Sequence, residues 1–334
     1  MAHLTPEIPS RPNWNYHPLE FNVRARSIDS DLARRIAVGL SQYHQVGFVR
    51  HGPSYLARPA EHTGIGAARL DGVWAVVSAN GKDCLLSHDG HFDLPQQKTL
   101  LSDLDLVVVE GGMEGTAPLV VELESDGSGL DALSAYPGKI LACVGSRRPD
   151  RVPAGGVPWF PPYDDDGIVD LCLDYAASVC RHRALWALVV GPTDSHSGRD
   201  VVRILSDRCE RVLRFDAPPD GLEPIETGWP RLGILGGLLS VQELGPDAAI
   251  LMVHTANSET PDLLEKLLEL RDPLRSATAF RETDSHLPNP KLSIWEPKSR
   301  LRIFQALAAG ISCPQRILTH SRIQLLDKVD SSLP

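Results

Sequence analysis

Short runs of aliphatic residues alternate with longer amphipathic segments along most of this 334-residue chain. The alternation is typical of βαβ units, in which helices cover the faces of a parallel sheet. Because a single hydrophobic core rarely organises more than about 250 to 300 residues, two domains are expected. We therefore predict an α/β fold of two doubly wound α/β/α domains with mainly parallel sheets, residues 1–183 and 184–334.

Hydrophobic periodicity and punctuation place the elements. The predicted strands are residues 46–50, 74–78, 104–110, 139–144, 185–191, 211–215 and 248–254. The predicted helices are residues 29–42, 167–181, 198–208, 260–271 and 298–309. Thr260 followed by Pro261 predicts a helix start, and Gly310 predicts a left-handed helix end. The density of proline and glycine between residues 147 and 162 predicts a loop without regular structure.

Charge and composition exclude several classes of protein. A formal net charge of -10 disfavours a general attraction to nucleic acid or to an anionic membrane. The apolar runs 104–109 and 248–253 are far shorter than the ~20 residues that span a bilayer, and the N-terminus does not resemble a signal peptide. The six cysteines form no CxxC pair, so most are expected to be buried thiols. We expect a cytoplasmic protein that binds neither nucleic acid nor membranes.

The common catalytic signatures are missing from the sequence. There is no GxxxxGK[ST] phosphate loop, no GxGxxG, no GxSxG and no HExxH. Three polar clusters each allow two interpretations. Residues 88–91 (His-Asp-Gly-His) are either metal ligands or a polar turn. Residues 164–166 (three aspartates) either hold Mg²⁺ or form the start of a helix. Residues 194–196 (Asp-Ser-His) are either a nucleophile with its base or the polar residues of a loop. The structural interpretation is favoured for each.

The segment 191–200 runs from a predicted strand end into a predicted helix start. Ligands of open α/β sheets bind at the carboxyl ends of the strands, and a helix N-terminus attracts phosphate. The alternative is a tight βα turn that needs glycine at Gly191 and Gly198 for steric reasons. Spacing alone favours the turn.

The motifs between residues 278 and 326 shift this balance. They include Thr-Ala-Phe-Arg281, Leu287-Pro-Asn-Pro, Trp295-Glu296-Pro297 and Ser-Cys313-Pro314. In order and spacing they resemble the C-terminal region of molybdenum cofactor guanylyltransferases. The resemblance implies a pterin-binding tail to which Arg281, Trp295, Glu296, Pro297, Cys313 and Pro314 belong.

The resemblance extends to the nucleotide site of that family. Gly191, Gly198, Arg199 and Asp200 match its triphosphate loop, and residues 228–239 resemble its Gly-Pro-Leu-Gly-Gly segment, which implies that Gly233 lies beside the base. The alternative for residues 228–239 is a packed glycine-rich helix start. Three positions depart from the pattern: Pro192 replaces a glycine, His196 an arginine and Val201 the phosphate-binding lysine.

The aspartate that holds the catalytic Mg²⁺ in the family is also replaced. Thr255 stands at its position, after the predicted strand 248–254. Without that carboxylate the metal loses its main protein ligand. Asp194 and Asp200 remain as candidate catalytic carboxylates.

The N-terminal half is similar to the GTP-binding adaptor that is paired with or fused to this transferase. The matching pieces are 47–52, which includes His51, 104–111, which includes Glu110 and Gly111, and 140–145. The resemblance implies that Glu110 and Gly111 end a strand near a phosphate site. Residues 24–31 replace the Gly-Lys-Thr loop of the adaptor, with Asp29 at the lysine position, which argues against GTP binding.

These departures favour a noncatalytic or altered relative that acts in molybdenum cofactor (molybdopterin guanine dinucleotide) biosynthesis as a cofactor carrier, partner or regulator. The alternative is an active nucleotidyltransferase that joins GMP or another nucleotide to molybdopterin with Mg²⁺ and GTP, and a different enzyme on the same scaffold is a third hypothesis. The expected partners are molybdopterin, molybdenum cofactor enzymes and their maturation proteins. The related adaptors commonly dimerise, which makes a homodimer a further expectation.

Overall fold

The computed structural model describes residues 19–26, 30–50, 74–79, 82–86, 101–102, 104–111, 117–126, 136, 138–148, 156–181, 183–215, 222–255, 260–282 and 284–327. These residues belong to two compact units. The first unit comprises residues 1–97 and 106–173, and the second comprises residues 98–105 and 174–334. The predicted boundary between residues 183 and 184 stays a prediction, because compactness does not measure independent folding.

The first unit is built on an eight-stranded sheet. Its strands are β1 (Leu19–Arg24), β2 (Val46–Arg50), β3 (Trp74–Ala79), β4 (Lys82–Leu86), β5 (Leu106–Glu110), β6 (Leu119–Glu122), β7 (Ile140–Val144) and β8 (Trp159–Phe160), in the spatial order β4-β3-β2-β5-β1-β6-β7-β8. Pairing is parallel from β2 to β8, and β3 and β4 are added antiparallel at one edge. The helix α1 (Leu32–Leu40) follows β1, and α2 (Asp165–Arg181) follows β8.

The second unit carries a seven-stranded sheet. Its strands are β9 (Leu185–Val190), β10 (Arg211–Phe215), β11 (Glu223–Pro224), β12 (Ala249–His254), β13 (Ala277–Arg281), β14 (Pro288–Trp295) and β15 (Ile323–Leu326), in the spatial order β11-β10-β9-β12-β14-β13-β15. Its helices are α3 (His196–Arg208), α4 (Ile234–Leu244), α5 (Thr260–Glu269), α6 (Ser299–Ala308) and α7 (Pro314–Thr319). Among the described strands of this sheet, only β14 pairs antiparallel with its neighbours.

Alternation of side chains along the strands divides the core of the second unit into two layers. Leu188, Ile250 and Met252 face α4, α6 and α7 on one side of the sheet. Ala187, Leu251 and Val253 face α3 and α5 on the other side. A sheet buried on both faces needs the continuous apolar strands that the sequence supplies, and the α/β class with mainly parallel sheets is confirmed.

Each predicted strand and helix has a counterpart in the structure, with ends that differ by a few residues. One prediction is wrong: the segment 147–162 contains β8, because Trp159 and Phe160 pair in parallel with the end of β7. Proline on either side limits this edge strand to two residues without preventing it. The sequence also did not indicate β1, β4, β6, β11, β13, β14, β15 or α7, and it indicated α4 only as one of two alternatives for residues 228–239.

Local helix signals agree with the structure where they can be checked. Gly310 has φ +77°, and its amide donates to Leu307 O at the end of α6. Asp164 Oδ1 accepts from the amide of Gly167, 3.2 Å away, so the aspartates at 164–166 open α2. Helix α5 begins at Thr260 as predicted, but its side-chain cap and the cluster at 88–91 lie outside what the structure describes.

Burial suppresses the reactivity of three cysteines, Cys143, Cys172 and Cys209. Burial raises the pKa of the Cys143 thiol to about 11 and the pKa values of Cys172 and Cys209 to about 12. Cys313 is exposed. Within the described residues, none of the helices has the length and apolar character needed to cross a membrane.

Candidate functional site

The candidate site lies at the carboxyl ends of β9 and β12. The chain leaves β9 to form β10 on one side and then returns to form β12 on the other side. Open α/β folds bind ligands where the strand order reverses in this way, in the crevice beyond the carboxyl ends of the strands. The segment 191–200, which the sequence analysis singled out, connects β9 to α3 at this edge.

Both glycines of this connection are required by close packing. Gly191 has φ +97°, and a Cβ there would lie 3.0 Å from Thr255 Oγ1. A Cβ on Gly198 would lie 2.8 Å from the Cα of Thr193 and 3.0 Å from Pro192 O. The tight turn therefore accounts for both glycines without a ligand, although it also leaves the backbone accessible at the crevice.

A substitution at Gly198 tests this packing. We expect Gly198→Ala to lower the free energy of unfolding by about 1 to 3 kcal/mol, because the methyl group meets backbone atoms that must shift. Gly228→Ala is the matched control, since nothing lies within 4 Å of its added Cβ. Urea denaturation of both variants gives the two values, and equal losses would contradict the packing argument.

An arginine that the sequence analysis missed forms hydrogen bonds to the connection between β9 and α3. Arg214 is buried in β10, and its Nη1 donates to Thr193 Oγ1 at 3.0 Å. Its Nη2 donates to the carbonyl oxygen of Gly191 at 3.3 Å. Its only signal in the sequence is a charged residue between the apolar Leu213 and Phe215. The guanidinium thus holds the 191–193 backbone in place.

The start of α3 uses its polar residues for capping and local pairing. Ser195 Oγ accepts from the amide of Gly198 at 3.0 Å, the usual arrangement of a serine N-cap. Arg199 Nη1 donates to Asp194 O. Asp200 lies 3.5 Å from His196 Nε2 and 3.8 Å from Arg203 Nη2. Capping by Ser195 agrees with the loop interpretation of residues 194–196.

Two residues at positions important for the transferase family have structural roles. The Val201 side chain is completely buried in the core between α3 and the sheet. Thr255 is also buried, and both its amide and its Oγ1 donate to Val190 O, at 3.0 and 3.2 Å. A lysine at position 201 would place its charge in an apolar core, so Val201 cannot be converted to a phosphate ligand by simple substitution.

No metal site emerges from the described residues. Among them there is no group of three or more histidine, cysteine, aspartate or glutamate side chains that could hold an ion. Asp194 is exposed, and Asp200 is flanked by the basic side chains of His196 and Arg203. Binding of Mg²⁺ by Asp194 and Asp200 remains a prediction.

Gly233 precedes α4 with φ +53° and supplies no side-chain cap. Gly236, in the first turn, approaches the backbone so closely that a Cβ would lie 2.3 Å from Trp229 O. The packed glycine-rich helix start thus describes this segment. Trp229 is partly exposed and contacts the ring edge of Phe304 at a centroid distance of 6.3 Å, and contact of Gly233 with a base remains a prediction.

The Trp-Glu-Pro motif lies inside the protein. Trp295, Glu296 and Pro297 are all buried, and the indole Nε1 donates to Ser293 Oγ at 2.9 Å. Glu296 accepts two hydrogen bonds from Arg271, at 2.6 and 3.0 Å. It also pairs with Arg183 Nη1 at 3.2 Å. This burial argues against direct pterin contact by the motif and accounts for it as a packing element.

The other residues assigned to the tail lie near the surface. Arg281 Nε donates to Asp327 Oδ1 at 2.8 Å, and its Nη1 donates to His286 O. Cys313 is exposed and precedes Pro314, the first residue of α7. A pterin role for these three residues remains a prediction.

In the first unit, the turn after β5 matches the expected strand end. Glu110 is buried at the end of β5, and Gly111 has φ +80° while its amide donates to Val23 O. A carboxylate reaches the loop that follows β1: Glu122 Oε2 accepts from the amide of Arg26 at 3.1 Å, and its Oε1 lies 3.8 Å from Arg26 Nε. His51 and Asp29 lie outside the described residues.

Among solved structures, two that are similar to parts of this chain come from molybdopterin-guanine dinucleotide biosynthesis proteins. No family model and no curated protein matches the chain. Molybdopterin-guanine dinucleotide biosynthesis protein A from Archaeoglobus fulgidus is similar over 43% of this chain and 83% of its own, at 14% identity and a TM-score of 0.33. MobB of Bacillus subtilis is similar over 47% of this chain and 96% of its own, at 23% identity and a TM-score of 0.31.

Proposed function

We propose that this protein acts in molybdenum cofactor biosynthesis as a noncatalytic relative of the guanylyltransferase. In this role it binds a phosphorylated pterin or nucleotide, or a protein of cofactor maturation, and does not transfer a nucleotide. It would serve as a carrier, partner or regulator. The proposal combines the resemblance of its motifs with the chemistry available at the carboxyl ends of β9 and β12.

The observation that carries the proposal is the role of Thr255. Nucleotidyl transfer needs a cation that bridges the phosphates and neutralises charge as pyrophosphate leaves. At the end of β12, where a carboxylate would hold that cation, the Thr255 hydroxyl donates to Val190 O. A neutral donor already engaged with a carbonyl supplies no metal ligand.

The surroundings of Thr255 support the same conclusion. The lysine that neutralises phosphate in the family is replaced by Val201, which belongs to the core. Asp200 already lies near two basic side chains, His196 and Arg203. The crevice nevertheless keeps a stable shape because Arg214 fixes the Gly191 connection. A binding function needs this shape but not the metal.

An activity assay separates the proposal from its alternative. Purified protein is incubated with GTP, Mg²⁺ and molybdopterin, and release of pyrophosphate is followed. The proposal expects no release above the protein-free rate, together with retention of molybdopterin on the protein, followed by the fluorescence of the pterin. Pyrophosphate release with the Mg²⁺ dependence of an enzyme would support the active transferase and overturn the proposal.

Substitution of Thr255 tests whether the missing carboxylate is the decisive loss. We expect Thr255→Asp to bind Mg-GTP at least about 10-fold more tightly than Thr255→Asn, because only the aspartate places a negative charge at the end of β12. The asparagine variant matches the aspartate in size and controls for disturbance of the bond to Val190. Isothermal titration calorimetry gives both dissociation constants, and equal affinities would show that this position does not govern metal binding.

A further inference from the structure

Two basic side chains are brought together at the carboxyl end of β12. Val253 pairs with Leu292 in the antiparallel register of β12 and β14. The next residues towards the carboxyl end of β12 are His254 and Lys291. Both therefore lie at the end of the sheet where β12 terminates. Directly opposed residues of an antiparallel pair project to the same face. Val253 and Leu292 share the α3 and α5 face, so His254 and Lys291 belong to the opposite one.

The imidazole of His254 lies against the start of the Gly191 connection. A Cβ on Gly191 would lie 3.5 Å from His254 Cε1 and 3.8 Å from Nδ1. His254 also pairs with Val190 in the parallel register of β9 and β12. The ring therefore lies beside Gly191, which has no side chain to cover its backbone.

The surroundings of His254 disfavour the protonated, positively charged form of its imidazole unless an anion is bound nearby. Burial, together with the positive charge of Lys291, lowers the pKa of His254 below its usual value. The partly buried imidazole and the ammonium group of Lys291 therefore do not stabilise each other. An anion bound between them would favour both positive charges, so the pair is complementary to negative charge.

The helices around the crevice add to this preference. Helix α4 has no acidic residue in its first turn and no side-chain cap, and it lies on the face of the sheet to which His254 belongs. Helix α3 begins in the connection that the imidazole touches, again without an acidic residue in its first turn. The N-terminal ends of helices favour anions. The helix dipoles therefore add to the attraction for anions that the side-chain charges of His254 and Lys291 provide.

We propose that His254 and Lys291 form a metal-independent subsite for the dianionic phosphate of a phosphomonoester. The ammonium and the imidazole occupy the edge at which a transferase would hold a cation, and they contact the phosphate directly. The inference deepens the proposed function, on which it rests, by naming the group that is recognised. The phosphate belongs to a pterin or to a nucleotide, since both carry the same dianion.

Calorimetry in the presence of EDTA tests the subsite with defined probes. The probes are GMP, guanosine and inorganic phosphate, at pH 7 and without any divalent metal. We expect GMP and inorganic phosphate to bind and guanosine to bind at least about 10-fold more weakly than GMP. Binding of inorganic phosphate alone, without further gain from GMP, would point to a phosphopterin or another phosphate source. Failure of both phosphates to bind at millimolar concentration would overturn the proposal.

Variants assign the binding to the two side chains. Lys291→Gln and His254→Asn are each expected to weaken binding of inorganic phosphate about 10-fold, the usual size for one charge-assisted contact. Lys266→Gln, on α5 at the other face of the sheet, is the matched control and should bind as the wild type does. Unchanged affinity in both test variants, with their folded state verified by circular dichroism, would place the phosphate elsewhere and overturn the subsite.

A spectroscopic readout follows His254 directly. Its ring proton resonances, assigned by their loss in His254→Asn, are expected to shift towards those of protonated imidazole when inorganic phosphate is added at pH 7. Resonances that do not move at saturating phosphate would overturn the subsite. The outcome is independent of the pyrophosphate assay, because the subsite can bind phosphate in EDTA even if the protein proves to be a transferase.

Discussion

The Glu296→Gln variant is expected to unfold with a free energy about 3 to 5 kcal/mol lower than that of the wild type. Glu296 is completely buried, and its two oxygens accept from Arg271 while Arg183 pairs with one of them. Glutamine keeps the shape of the side chain but removes the negative charge that Arg183 and Arg271 share in a poorly solvated place. Urea denaturation followed by circular dichroism measures the loss.

A surface ion pair provides the control. Glu265 pairs with Arg208 at 2.9 Å, but both side chains are about half exposed. Glu265→Gln should therefore change the free energy of unfolding by less than about 1 kcal/mol. If Glu296→Gln were as mild as this control, and if it lost pterin binding instead, the Trp-Glu-Pro motif would contact ligand and the packing role would be incorrect.

The parts of the fold that could be predicted are those whose side chains follow one simple period. Strands β5, β9 and β12 are continuous apolar runs because the sheets are covered on both faces, and such runs are visible without a structure. The missed strand β14 lacks this signal. Strand β14 contains Pro288 and Pro290, and its antiparallel pairing places it beside β12 through contacts distant in sequence.

The place of segment 191–200 in the fold was predicted, but the contacts of its side chains were not. The segment 191–200 does lie at the carboxyl end of a parallel strand, as its place between a strand and a helix indicated. A sequence motif does not indicate the direction in which each side chain points. Val201 matches a lysine of the family by spacing, yet it faces the core. Arg214 and His254 reach the crevice through pairing of β9 with β10 and β12.

The same distinction applies to the C-terminal motifs. The resemblance to the guanylyltransferases rests on the order and spacing of these motifs. The role of each residue depends on whether its side chain is buried. Trp295 fills the core on the α4 side of the sheet, whereas Glu296 holds two arginines from other segments of the second unit. A motif that resembles a family in sequence can therefore preserve a packing element, which has no need of the ligand.

A second group of buried charges surrounds Lys298 and Asp105 in the second unit. Lys298 Nζ donates to the carbonyl oxygens of Leu104 and Leu274 and lies 3.8 Å from Asp105 Oδ1. Asp105 also accepts from Arg322 Nη2 at 2.7 Å. Burial lowers the pKa of Lys298 to about 8 from the ordinary 10.5, although the charge of Asp105 opposes the shift.

This pKa predicts how stability depends on pH. Between about pH 8 and 10.5 the unfolded chain keeps a proton on Lys298 that the folded protein has lost, so the free energy of unfolding rises with pH in that range. Relative to Lys298→Met, which has no proton to lose, the wild type should gain about 3 kcal/mol across the range. The contribution is lowest below pH 8, where Lys298 is charged in both states.

Urea denaturation of the wild type and of Lys298→Met at intervals from about pH 7 to pH 11 measures this difference. Loss of the bonds to Leu104 and Leu274 displaces the variant's curve by a constant amount, so the slope and not the offset carries the test. Asp105→Asn should move the wild-type rise to lower pH, because Asp105 favours the charged lysine. Parallel curves for wild type and Lys298→Met would mean that the folded protein keeps Lys298 protonated throughout, with Asp105 and the two carbonyl groups outweighing its burial.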